Sequence, residues 1–99
     1  MSFVYAQPEA LATAAGTLRA IGSGLAAQNA AAASPTTGVV PAAADQVSVL
    51  NAALFATHAQ LYQQVSARAM AIHETFVNAL DFSSGSYAAT EAANAIAAG

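Results

Sequence analysis

Between Pro41 and Gly85 the chain contains no glycine and no proline. That uninterrupted run constrains the fold more than any other feature, because those two residues are the usual breakers of a helix. It predicts one long helix from about residue 42–45 to about Phe82. At roughly 40 residues and 1.5 Å per residue, such a helix spans about 60 Å. Two apolar stripes run along it. Val47, Leu50, Leu54, Leu61, Val65 and Ile72 form one seam, while Phe55, Tyr62, Ala69 and Phe76 recur every seven residues and form another. One neighbouring helix can cover only one of these seams, so the other is expected to need a partner.

A shorter helix precedes it. Pro8 suits a first helical position, where its missing N–H costs nothing. Glu9 then meets the positive end of the helix dipole. From there to about Ala33, Leu11, Ala14, Leu18, Ile21 and Leu25 step by threes and fours, the pattern of a packing stripe. Gly16, Gly22 and Gly24 weaken this helix but allow close approach of another. Ser34-Pro35-Thr36-Thr37-Gly38 reads as a loop. Val39 and Val40 are expected to fold back over the bundle end. Pro41 can open the second helix, with Asp45 as its cap or dipole partner.

The fold class that follows is all-α: an antiparallel two-helix hairpin, about 8–33 and 43–82, preceded by a short apolar lead-in over residues 1–7. Alanine outnumbers Leu, Ile, Val, Met and Phe together. It favours helices but buries little area. Ordering costs about 1.5 kcal/mol per residue and burial returns about 25 cal/mol per Å², so such a hairpin barely breaks even alone. Completion of a four-helix bundle by a partner is the expectation. Residues 1–82 then form one domain. Ser83-Ser84-Gly85-Ser86 reads as a helix stop, and 83–99 as a mobile tail in which Tyr87 and Glu91, four apart, share a face on any helical turn.

Composition excludes several functions. No cysteine is present, so disulfide and zinc-thiolate chemistry are ruled out. Two arginines and five carboxylates give a net charge of −3, which cannot supply a nucleic-acid face. The N-terminus lacks the pattern of a cleaved signal peptide, and no stretch reads as a transmembrane span. His73-Glu74 suggests a zinc motif, but the second histidine it needs would fall at Val77. His58 and His73 stand about 22 Å apart along one helix and cannot share a metal. Asp45, His58 and Ser66 are too far apart along that helix for a nucleophilic triad. No catalytic, metal or cofactor site is expected.

Aromatic residues at helical spacing belong more often to an interface than to a ligand pocket. The candidate partner interface is Leu11, Leu18, Leu25, Leu54, Phe55, Leu61, Tyr62, Val65, Ile72 and Phe76. Tyr62 is placed to keep its hydroxyl at the rim. Arg68 is the odd member of the first seam; it either snorkels to the edge or pairs with a partner carboxylate.

Pro8-Glu9, the alanine-rich first helix, the segment SPTTGVVPAAADQVS at 34–48 and the tail SYAATEAANA together resemble the mycobacterial PE family over essentially the whole chain. The chain looks like a short member limited to that domain. The resemblance implies a hairpin paired 1:1 with a PPE-family protein in a four-helix bundle. It implies export to the cell surface or medium by type VII (ESX) secretion, most similar to ESX-5 substrates. The implied export signal, Tyr-x-x-x-Asp/Glu, maps onto Tyr87 and Glu91. The EspG chaperone is expected to bind the PPE partner, not this chain. Two other classes compete. One is a homo-oligomeric hairpin like the WXG100 substrates, against which the absence of tryptophan counts. The other is a component, with its PPE partner, of solute transport at the outer membrane.

Overall fold

A computed structural model describes residues 6–99. Most of the expected lead-in, residues 1–5, lies outside the described residues. Two helices form the hairpin: α1 over Pro8–Thr37 and α2 over Gln46–Ala98. Pro8 does open α1, and the Gln7 carbonyl accepts from the Ala10 and Leu11 N–H groups at 3.0 and 3.3 Å. Asp45 caps α2. Its Oδ1 accepts from the Ser48 N–H and its Oδ2 from the Ser48 hydroxyl, both at 2.9 Å. These bonds favour the carboxylate and hold the Asp45 pKa below the usual aspartate range.

Three boundaries differ from the sequence expectation. The loop expected at 34–38 is helical through Thr37, with Pro35 inside the last turn. Proline there removes one backbone donor, and the Thr36 and Thr37 hydroxyls donate to the Ala32 and Ala33 carbonyls at 2.6 and 2.7 Å. Pro41 does not open α2, which begins at Gln46, one residue after its cap. The stop expected at Ser83–Ser86 is absent, and α2 continues to Ala98. Serine and glycine each cost a helix less than about 1 kcal/mol. The Ser84 hydroxyl meanwhile donates to the Pro8 carbonyl at 2.8 Å, and the residues beyond are rich in alanine.

The described residues divide into two compact units, those up to Gly22 with 73–99, and residues 23–72. In the first, the buried or half-buried row of α2 is His73, Val77, Leu80 and Ser84, facing Pro8, Leu11, Ala15, Leu18 and Gly22 of α1. The Leu18 carbonyl can only accept, so the His73 ring carries its proton on Nε2 and donates across 2.8 Å. Arg19 and Asp81 form an ion pair at 3.0 Å with both side chains about half exposed, a geometry that adds little stability in water.

In the second unit the covered row of α2 is Ala52, Ala56, Ala59, Gln63, Ser66 and Met70, again in steps of four and three. Asn29 of α1 is its hub. The Asn29 amide donates to the Ser66 hydroxyl. The Tyr62 hydroxyl donates to Asn29 Oδ1 at 2.9 Å, and the Gln63 amide donates to the Asn29 backbone carbonyl at 3.1 Å.

Candidate partner-binding face

The contact between the helices uses neither stripe expected on α2. It uses a third row, small and polar in the second unit apart from Met70, and made of His73, Val77, Leu80 and Ser84 in the first. Among the described residues, the buried hydrophobic side chains are Ala15, Ala52 and Val77. Small residues let the backbones approach closely, and the polar members of the row find partners across the gap. The expectation that α1 covers one large-residue seam is therefore corrected. Both seams face outward.

In the second unit, Leu54, Leu61, Val65 and Ile72 are exposed, Ile72 to 71%. Phe55 and Tyr62 lie beside them and are also exposed, Phe55 to 65%. Their helix positions gather them on one flank and the outer side of α2, away from Ala52, Ala59 and Ser66. The flank with Ala53, Gln60 and Ala67 is small or polar instead. An open apolar groove of about 410 Å³ lies at the loop end, with Ala32, Pro35 and Val39 on one wall and Phe55, His58 and Tyr62 on the other. Val39 lines this groove at 38% exposure, while Val40 stays 82% exposed. Tyr62 is exposed while its hydroxyl is tied to Asn29. Leu25, on α1, is exposed as well.

In the first unit, Leu11 and Leu18 are half-buried against α2, so they serve the hairpin itself. The α1 stripe is Leu11, Ala15, Leu18 and Gly22, while Ala14 and Ile21 face outward because the packing row falls one position later. Phe76 and Phe82 are exposed. Tyr87 and Glu91 both lie on α2 and both are exposed. They continue the stepping of Leu80 and Ser84, so they fall in phase with the row that packs on α1. A shallow hollow of about 290 Å³ is lined by Phe82, Ser83, Ser86, Tyr87 and Thr90.

Among the described residues, no three His, Asp or Glu side chains converge as a metal site would require. No helix there is long and apolar enough to cross a membrane. His58 lines the apolar groove, and His73 sits in the hairpin seam.

Comparison with known proteins gives these faces a context. Residues 4–94 match the model of the PE family. The chain is 66% identical over 98 residues to PE family protein PE13 of Mycobacterium tuberculosis, covering 99% of both chains. It is 55% identical to PE family protein PE8 of the same species, covering 99% of this chain and 36% of that one. It is 59% identical to PE-PGRS family protein PE_PGRS33, covering 96% of this chain and 20% of that one. A family match across nearly the full length, on a helical hairpin opened by Pro8 and Glu9, shows that this chain belongs to the mycobacterial PE family.

Proposed function

We propose that this chain is a non-enzymatic half of a heterodimer, pairing 1:1 with a PPE-family protein in a four-helix bundle. The observation that carries the reading is the outward face of Leu54, Leu61, Val65 and Ile72, flanked by Phe55 and Tyr62. Seventeen large apolar side chains are exposed among the described residues, far more than scattered surface residues would account for. Leu25 and Phe76 extend the proposed interface, and Leu11 and Leu18 support it from the hairpin seam.

The pair then leaves the cell by type VII secretion, of the ESX-5 kind, without a cleaved signal peptide. Residues 83–99, which continue α2 to Ala98, carry the signal, with Tyr87 and Glu91 as its recognised pair. Their exposure and their shared face on α2 support this reading. EspG contacts the PPE partner alone.

Co-expression with a panel of PPE-family domains tests the pairing. One domain should give a soluble 1:1 complex by light scattering, with more helix by circular dichroism than the separate chains sum to. A stable helical monomer or homodimer that ignores every PPE domain refutes the pairing. Export is read separately. Tyr87→Ala and Glu91→Ala should each abolish appearance in mycobacterial culture filtrate while leaving the complex intact, and normal export of both variants refutes the signal.

A further inference from the structure

One residue of the outer face is unlike its neighbours. Arg68 lies seven positions after Leu61, three after Val65 and four before Ile72, so it stands among them on the helix. It is exposed and makes no ion pair among the described residues. A partner that covers this patch with apolar side chains alone would take a guanidinium out of water unpaired, and that is strongly unfavourable. A carboxylate on the covering surface answers this directly, because the planar guanidinium can hold it through two parallel hydrogen bonds.

A second copy of the chain carries no carboxylate on this same face. Between Ser23 and Ile72 the only charged residues are Asp45 and Arg68. Asp45 sits seven residues before Ala52, on the seam row, and its oxygens are engaged by Ser48. Glu74 and Asp81 share α2 but fall on the row of Ala53, Gln60 and Ala67, on the other flank, and Asp81 is bonded to Arg19. An isologous pairing through the outer face brings Arg68 against neutral residues or against its own copy. Neither satisfies it.

We infer that Arg68 is the partner-selecting residue of this face, which accepts a helical surface carrying a carboxylate set among apolar side chains and rejects a second copy of the chain. The inference rests on the heterodimer reading and adds the chemistry of the partner to it.

The test takes the PPE-family domain that binds the wild-type chain and measures its Kd by calorimetry against Arg68→Glu and Arg68→Lys. Arg68→Glu should weaken binding by at least about 30-fold with unchanged helicity. Arg68→Lys should lose less, and changing one interfacial carboxylate of the PPE domain to arginine should restore binding to Arg68→Glu. Sedimentation of Arg68→Leu provides a second measurement, in which self-association should appear that the wild type lacks. Unchanged affinity of Arg68→Glu for the domain overturns the inference while leaving the heterodimer standing. A wild-type homodimer that Ile72→Glu dissociates overturns both, as does failure of every PPE domain to bind.

Discussion

Asn29 ties α1 to α2 through its amide and its backbone carbonyl, touching Tyr62, Gln63 and Ser66. A row of alanines gives little resistance to sliding, because one small side chain replaces another after each turn. A polar residue that bonds only at one place removes that freedom. Replacing Asn29 by alanine should cost about 1–3 kcal/mol in urea unfolding, since it leaves partly covered polar groups without partners. It should also broaden the amide NMR lines of Tyr62 and Gln63 as registers exchange. Asp45 acts differently, through charge. Its pKa is lowered in the folded chain, so its stabilisation is complete above the ordinary aspartate value and fades as pH falls through the lowered one. Acid titration followed by circular dichroism should show this loss, and Asp45→Ala, lacking the carboxylate, should be less stable at neutral pH and flat across that window. The Asp45 cap was legible from an aspartate next to an apolar helix. The Asn29 network was not, because hydrogen bonds between residues more than thirty positions apart leave no local pattern.

At the scale of the element, the two helices were legible and their limits were not. Pro8 followed by Glu9 marked the start of α1 correctly. Breakers misled at the other ends, where a proline in a last turn or a serine-glycine cluster costs less than a continued alanine helix returns. The glycines also divide in a way that composition alone cannot show. Gly22 is buried in the seam, whereas a methyl group added at Gly16 or Gly24 would meet nothing within 4 Å. Gly16→Ala and Gly24→Ala should each raise stability by about 0.5–1 kcal/mol in chemical denaturation. Gly85→Pro should cut α2 near its middle-to-late junction and remove the helical signal of the residues beyond it. Loss of amide protection confined to about 85–98 in hydrogen exchange would verify that.

For the whole molecule, the large-residue stripes of α2 do not mark the row that the hairpin uses. Hydrophobic periodicity was present, but it recorded the face turned away from α1. The true seam, Ala52, Ala56, Ala59, Gln63, Ser66 and Met70 with His73, Val77, Leu80 and Ser84, follows the same threes and fours in a quieter alphabet. A chain with this little buried apolar area should unfold with a shallow, weakly cooperative thermal transition alone. Adding the PPE domain at a hundred times its Kd should stabilise the chain by about 2.7 kcal/mol and sharpen that transition. Ile72→Glu should erase the gain without changing the isolated chain. The arrangement also separates two kinds of inheritance within one helix. On the proposed pairing, letters that decide how the hairpin closes and letters that decide whom it meets occupy different rows. A library varied only at Leu54, Leu61, Val65 and Ile72 should therefore yield chains with one architecture and many acquaintances, so that new pairings can arise by duplication and drift without the fold being reinvented.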